Sequence, residues 1–187
     1  MSGTLYVTGQ PEVDGLLNSD PNALLIGMLL DQQISMEAAF AAPAKLLNRL
    51  GHLDPAKIST MDRDEFISIC TQKPAIHRFP ASMGARLHDL CGIVADQFHG
   101  DAALIWNDVG SAGELFDRLR SLPGFGEEKS QIFIALLAKT QGVRLVGWER
   151  AAGEFGDNSP RSIADVRDPE SLDAVRAWKK ARKAARR

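Results

Sequence analysis

The residues whose types and spacing point most directly to chemistry lie in the segment 122–129, Leu-Pro-Gly-Phe-Gly-Glu-Glu-Lys. Pro123 ends a preceding amphipathic stretch, and Gly124 and Gly126 allow backbone angles that a side chain would forbid. A helix that begins directly after such a turn presents backbone N–H groups that bind an anion such as a DNA phosphate. Lys129, one turn into that helix, adds a positive charge. The alternative is a plain corner between two helices with a glycine-rich turn.

Metal chemistry has little support in the sequence. The two cysteines, Cys70 and Cys91, have no partner at CxxC spacing, and two thiols are too few for a four-cysteine iron–sulfur cluster. The four histidines, at positions 52, 77, 88 and 99, form no HxxxH or HExxH pattern. We therefore expect no metal site and no iron–sulfur cluster, and we interpret both cysteines as small residues of the core.

Helices must position these groups, because the composition favours helix over strand. The chain has 24 Ala and 21 Leu against 8 Val and 1 Tyr. A stretch that is apolar nearly all round, residues 23–30, belongs at the centre of the core. Residues 72–80, with two prolines and no helical period, form a loop between two lobes. Apolar periodicity and capping residues predict an all-α single domain over residues 1–187, with helices at 23–30, 35–50, 83–98, 113–122, 127–138 and 169–185.

Positive charge is concentrated in the predicted C-terminal helix, at about 169–187. Residues 176–187 contain seven basic residues and no acid, and because the whole chain carries −2, residues 1–175 carry −9. This acidic body argues against a protein that coats nucleic acid along its whole surface, and it allows contact at a few positive points. The longest uncharged apolar run, residues 23–30, is too short to span a bilayer, and the N-terminus lacks signal-peptide features. We expect a cytoplasmic protein without membrane contact.

Two segments in this order resemble a known family. Leu24-Leu-Ile-Gly-Met-Leu-Leu-Asp-Gln-Gln-Ile-Ser35 is similar to the helix-then-glutamine segment of the helix–hairpin–helix (HhH-GPD) base-excision DNA glycosylase superfamily, and the segment 122–129 resembles its hairpin. The resemblance covers roughly residues 21–147 and implies a two-lobed all-α fold with a base-sized cleft, with the hairpin at about 113–138. Residues 73–80, 122–129 and 147–153 look like a small actinobacterial branch of that superfamily.

The resemblance implies roles for residues near the cleft. Gln32 and Gln33 would lie at its mouth, beside the gap that a flipped nucleotide leaves in DNA. Trp148 would stack on the flipped base, and His77, in the loop between the lobes, would hydrogen-bond the edge of the base or donate a proton near neutral pH. The alternatives are solvated glutamines, a tryptophan that anchors the core and a structural histidine.

The resemblance also implies a phosphate contact that does not depend on DNA sequence. A monovalent cation is expected near the hairpin that makes this contact. The DNA-binding residues implied here are Gly124, Phe125, Gly126, Glu128 and Lys129.

The sequence departs from the family pattern at the catalytic acid. Members usually place an Asp 20–22 residues beyond the second hairpin glycine, and this chain has Val, Gly and Trp at those positions, 146–148. Glu149, one residue further, is the first candidate for the carboxylate that stabilises the sugar cation as the base departs. Asp31 is the alternative.

A second departure concerns the lysine of bifunctional members, which forms a Schiff base with the sugar. That lysine stands two residues after the second hairpin glycine, where this chain has Glu128, and Lys129 follows one residue later. One step along a helix turns a side chain by about 100°. We therefore expect Lys129 to face away from the cleft, and no lyase step.

Two functions follow from these expectations. The first is a monofunctional DNA glycosylase, a monomer associated with the bacterial nucleoid, that flips a damaged or mispaired base out of double-stranded DNA and hydrolyses its N-glycosidic bond. The second is a non-catalytic DNA-binding module of the same fold, which the missing Asp favours. A water-accessible cleft with Glu149 or Asp31 pointing into it distinguishes the first from the second.

Overall fold

The computed structural model describes residues 3–185, and these residues form helices and connecting loops without a β-strand. The prediction of an all-α fold is confirmed, and no described helix is long and apolar enough to cross a membrane. Arg186 and Arg187, at the end of the basic segment, lie outside the described residues. The helices are α1 (Pro11–Ser19), α2 (Pro21–Leu30), α3 (Met36–Leu50), α4 (Pro55–Thr60), α5 (Arg63–Thr71), α6 (Pro80–Gln97), α7 (Ala103–Asn107), α8 (Ala112–Arg120), α9 (Glu127–Thr140), α10 (Trp148–Ala151) and α11 (Pro169–Ala185), with short 3-10 helices at Gly153–Gly156 and Ile163–Asp165.

Helix α2 forms the centre of the core, as its composition predicts. Asp20 caps it by accepting hydrogen bonds from the backbone N–H groups of Asn22 and Ala23, at 2.8 and 3.3 Å. Every residue from 23 to 30 is buried. A helix without a polar face is stable only where other elements surround it, so the fold is arranged around α2.

The first lobe contains α3 to α6. Helix α3 packs on α2, and α4 and α5 both pack on α6. The Ser35 side chain caps α3, and Gly51 ends it in a left-handed conformation with φ +76°. The predicted loop before α6 is present, but it joins α5 to α6 within the first lobe and does not connect two lobes, and Arg49 donates to the carbonyl oxygens of Ile69 at the end of α5 and of Pro74 in the loop, at 2.9 and 2.7 Å.

Helix α9 organises the second lobe, where it contacts α8, α10 and both 3-10 helices. Lys139 of α9 forms an ion pair with Asp165 at 2.6 Å, and both side chains are almost fully buried. The N-terminal segment closes onto the same lobe, because the N–H of Thr4 donates to the carbonyl of Thr140 at 2.8 Å and the N–H of Tyr6 donates to that of Val166 at 3.2 Å. The two ends of the described chain therefore belong to one packed unit.

Both cysteines lie in the core, as predicted. Burial raises the pKa of the Cys70 thiol and that of the Cys91 thiol to about 12. Each sulfur is therefore protonated at neutral pH and unreactive as a nucleophile.

The helix boundaries differ from the predicted ones by up to three residues. Helix α6 begins at Pro80 rather than at residue 83, because proline is favoured in the first turn of a helix. Helix α8 ends at Arg120 rather than at residue 122, so the hairpin turn is slightly longer than predicted, and α9 extends beyond residue 138 to Thr140.

Two helical glycines offer a matched test of the packing on α2. A Cβ on Gly27 would lie 2.7 Å from the Phe40 ring, whereas a Cβ on Gly92 of α6 meets nothing within 4 Å. We expect Gly27→Ala to lower the free energy of unfolding by about 1–3 kcal/mol through overpacking. Gly92→Ala should raise it by about 0.5–1 kcal/mol, because alanine favours helix. Urea unfolding measures both, and a stabilised Gly27→Ala variant would contradict the tight α2–α3 contact.

Candidate functional site

The link between α2 and α3 presents the first group of candidate residues. Helix α2 ends just before Asp31, and Gln33 adopts a left-handed conformation with φ +58° before Ser35 caps α3. The amide nitrogen of Gln32 donates to the sulfur of Met83 in α6 at 2.8 Å, which fixes this side chain against the first lobe. Asp31, Gln32 and Gln33 together line one cleft at the C-terminal end of the central helix.

The carboxylate of Asp31 makes no hydrogen bond and no ion pair to residues 3–185. Burial raises the pKa of Asp31 above its ordinary value, the positive charges of Lys179 and Lys129 oppose this shift, and the negative charge of Glu37 adds to it. An unpaired carboxylate that burial makes costly to ionise is typical of a functional acid rather than of a structural one.

Lys129 approaches the same end of α2 from helix α9. Its Nζ donates to the carbonyl of Leu29 at 2.7 Å and lies 5.8 Å from the centroid of the Phe125 ring. Burial lowers the pKa of Lys129 to about 8, against the opposing effect of Asp31. Lys129 does not line the cleft that contains Asp31, but the expectation that it points toward a phosphate is wrong, because its ammonium binds a carbonyl at the negative end of the α2 dipole.

A cleft of about 370 Å³ opens beside Asp31. This volume is at the lower end of the range of about 300–1,000 Å³ for small-molecule pockets. Residues that are far apart in the sequence form its walls, because the α2–α3 link faces helices α9 and α11. The residues of this cleft that concern the chemistry are Asp31, Gln32, Gln33, Glu128, Trp178 and Lys179.

The hairpin between α8 and α9 packs directly on the core, and Gly124 makes this possible. Gly124 has φ +78°, and a Cβ there would lie 2.7 Å from Leu29 Cδ1 and 2.9 Å from Arg86 Cδ. Phe125 is 4% exposed and its ring meets that of Phe133 at 6.0 Å. The Phe125 side chain is therefore part of the core, and only its backbone remains available for the predicted DNA contact.

The turn also presents a row of backbone donors. Within the described residues, the N–H groups of residues 126–129 donate to no acceptor, and the N-cap residue Gly126 has no side chain to satisfy them. Gly126 has open space around its Cα, and Glu128 is exposed with its carboxylate 4.0 Å from Arg182. Unpaired amides at the positive end of a 14-residue helix can bind an anion.

His77 positions the glutamine segment rather than entering the cleft. Its Nδ1 accepts from the N–H of Phe79 at 3.0 Å, so its Nε2 carries the proton and donates to the carbonyl of Gln32 at 2.9 Å. Both ring nitrogens are occupied, and the side chain is buried. His77 therefore joins the loop before α6 to the α2–α3 link, and it has no free ring nitrogen for the predicted contact with a base edge.

The order of these features matches a known family. The family model for the HhH-GPD superfamily base excision DNA repair protein matches residues 26–186, which include the glutamine segment, the hairpin and the cleft. The chain belongs to the HhH-GPD superfamily. Membership implies that this protein binds DNA and takes part in base excision repair. No curated protein and no solved structure gives a significant match to the chain.

The two candidate acids of this HhH-GPD protein lie in different environments. Glu149 is exposed at the start of α10 and does not line the cleft that contains Asp31. Trp148 is half-buried against the core and is also outside that cleft. Within residues 3–185 no three His, Cys, Asp or Glu side chains are grouped to hold a metal ion.

Sequence reasoning missed the tryptophan that does line the cleft, Trp178 of α11. Residues 178, 179, 182 and 183 all face the cleft, and this spacing of one and four residues defines one face of a helix. This spacing is visible in the sequence and predicts that the four residues share one face of the C-terminal helix. The high positive charge of the segment instead favoured an interpretation based on charge alone.

The raised pKa of Asp31 predicts how stability depends on pH. Because this carboxyl has a higher pKa in the folded chain than in the unfolded chain, its contribution to stability is lost as the pH rises through the folded-state pKa. Asn mimics the protonated form. We expect Asp31→Asn to gain stability over the wild type at about pH 8, by more than it does at about pH 4.5.

Thermal unfolding of both proteins at the two pH values measures this difference. Glu149→Gln, which neutralises an exposed acid, is the control and should follow the wild type. A loss of stability in Asp31→Asn at the higher pH would show that the carboxylate has a structural partner.

Proposed function

We propose that this HhH-GPD protein is a monofunctional DNA glycosylase that removes a damaged or mispaired base from double-stranded DNA. The observation that carries the proposal is the unpaired carboxylate of Asp31 beside a cleft of about 370 Å³. A DNA-binding protein has no structural need for an acid that burial destabilises at the end of its central helix. A catalyst has such a need, because base departure leaves positive charge on the sugar.

Asp31 would act on that charge directly. When the C1′–N bond breaks, its electron pair leaves with the base and C1′ becomes an oxocarbenium-like cation. A carboxylate in a partly dehydrated cleft stabilises this cation more strongly than it does in water. Water then adds to C1′ and transfers its proton to Asp31, which releases the proton to solvent, while the departing base takes up a proton from water.

The geometry supports Asp31 over Glu149, the first choice from the sequence. Glu149 is exposed and outside the cleft, so water would screen its charge. Asp31 instead lies beside Gln32 and Gln33, the residues that the family resemblance associates with the flipped nucleotide.

The position of Lys129 supports hydrolysis without a lyase step. Its ammonium donates to the carbonyl of Leu29, and Lys129 is not among the residues that line the cleft. An amine held in this contact does not reach the sugar carbon that a lyase step must attack. Glu128, which stands where bifunctional members of the family have their lysine, carries no amine.

The unpaired amides of the hairpin support a phosphate contact on double-stranded DNA, with a monovalent cation proposed nearby. Exposed Lys183 on α11 adds positive charge that DNA can neutralise. We further propose that the protein acts as a monomer in the cytoplasm, close to the nucleoid.

A second candidate function is a DNA-binding module without catalysis. The observation in its favour is that α11 crosses the cleft, where Arg182 lies 3.5 Å from Glu154 and 4.0 Å from Glu128. These contacts narrow the space in front of Asp31. Catalysis on a panel of substrates separates the two functions.

We expect Asp31→Asn to lower the single-turnover rate of base release by about one hundredfold or more, the effect of losing one electrostatic contact to the transition state, about 2.7–4 kcal/mol. Glu149→Gln should keep the wild-type rate. The measurement uses duplexes that each contain one lesion, with alkaline cleavage at abasic sites.

Equal rates for Asp31→Asn and the wild type would remove Asp31 from the mechanism, and a loss confined to Glu149→Gln would transfer its role there. Wild-type protein that binds these duplexes and releases no base would favour the binding module.

The hairpin contact is tested most cleanly at Gly126, since alanine there meets nothing within 4 Å. We expect Gly126→Ala to weaken DNA binding severalfold, equally for all sequences, because a methyl group stands where a phosphate approaches the amides. Gly124→Ala is unsuitable, because its Cβ would clash with Leu29 and Arg86. Fluorescence anisotropy measures affinity, with Gly92→Ala as the control, and unchanged binding would contradict the phosphate site.

A further inference from the structure

Helix α11 forms one wall of the Asp31 cleft, and it does so with a consistent set of side chains. Trp178, Lys179, Arg182 and Lys183 all line the cleft. This wall is present because α11 is anchored at its start, where Leu172 and Val175 are buried. Its C-terminal half is thereby held across the α2–α3 link.

The charge of the cleft walls is positive. Four cationic residues line the cleft, Arg161, Lys179, Arg182 and Lys183, against the two acids Asp31 and Glu128. Arg161 is paired with Glu154 and Asp157, at 2.9 and 2.7 Å, and Arg182 contacts Glu154. Within residues 3–185, Lys179 and Lys183 have no acid within 4.0 Å, and Lys179 Nζ makes one weak contact, to the Met36 sulfur at 3.6 Å, so the ammonium groups of both lysines keep donors for a ligand.

The aromatic surface of the cleft already binds a cation. The guanidinium carbon of Arg182 lies 5.0 Å from the centroid of the Trp178 ring. A ring that attracts one cation by its negative face gains less from a second cation, which the first repels. A neutral base can stack on tryptophan without that penalty.

Asp31 is the one group that would favour a cationic ligand, and its attraction is offset. The positive charges of Lys179 and Lys129 both act on its carboxylate and offset part of its negative charge. The lining of the cleft therefore keeps an excess of positive charge, to which Lys179 and Lys183 of α11 contribute.

We propose that the cleft accepts neutral bases rich in carbonyl oxygens, of the kind that deamination or oxidation produces, and excludes positively charged N-alkylated bases. This inference rests on the proposed glycosylase function and names its substrate class. Lys179 is the donor assigned to a carbonyl oxygen of the bound base. Its side chain lies on the α11 wall and its charge acts on Asp31 across the cleft.

The chemistry of departure agrees with this assignment. A neutral base leaves with the electron pair of the C1′–N bond and becomes an anion, which a hydrogen bond from Lys179 to its carbonyl oxygen stabilises until water protonates it. An N-alkylated cationic base leaves as a neutral molecule and needs no such donor. The positive wall therefore assists only the first class.

The test compares duplexes that differ in one nucleotide, with uracil or 8-oxoguanine as the neutral bases and 7-methylguanine as the cationic base. Binding is measured with 2′-fluoro nucleotides, because the fluorine makes the glycosidic bond resistant to cleavage. Base release is measured separately with ordinary nucleotides, as acceleration over the spontaneous rate. The variants are Lys179→Met and its matched control Lys180→Met, which removes the same charge from the next residue of α11, outside the cleft.

We expect the wild type to bind at least one neutral base about tenfold more tightly than the cationic base. Lys179→Met should remove most of this preference, and Lys180→Met should keep it within about twofold. Equal or tighter binding of 7-methylguanine by the wild type overturns the inference, whatever the variants do. A binding preference without release of any base would leave the inference in place and contradict the glycosylase function.

Discussion

The hydrogen bond from the Lys129 ammonium to the Leu29 carbonyl is the contact on which the site depends. It joins residues that are 100 positions apart and connects the hairpin helix α9 to the end of the central helix α2. The same contact brings a positive charge close to Asp31, which lowers the cost of ionising that carboxylate. Gly124 serves this junction as well, because any side chain there would push the hairpin away from Leu29 and Arg86.

The helical framework could be predicted from the sequence because its determinants are local. Asp20, Ser35 and Gly51 act on the helix next to them, and the apolar composition of residues 23–30 suffices to place α2 in the core. The hairpin could be found for the same reason, since its proline and glycines constrain only the turn that contains them. These elements could therefore be predicted without knowing which residues pack against them.

The site could be predicted only in part, because its geometry depends on contacts between distant segments. The rotation of one residue along a helix predicts that Lys129 points toward a phosphate, whereas its ammonium contacts the carbonyl of Leu29 in the core helix α2. Spacing from the hairpin favoured Glu149, but the unpaired acid of the cleft is Asp31, which precedes the hairpin by about 90 residues. The segment that resembles the family ends near residue 147, so the resemblance assigned no role to Trp178. Trp178 lies in the site only because α11 packs against the α2–α3 link.

The closure of the N-terminal segment onto the second lobe has a consequence for the order of folding. The first lobe is formed by neighbouring segments, so its contacts need only short loops to close. The hydrogen bonds of Thr4 and Tyr6 instead require residues 140 and 166, and each of these contacts encloses most of the chain. Local contacts form sooner than distant ones, because less chain entropy is lost before they are made. During synthesis the α3–α6 lobe can therefore become compact before the first residues of the chain find their partners, and the cleft beside Asp31 is assembled last.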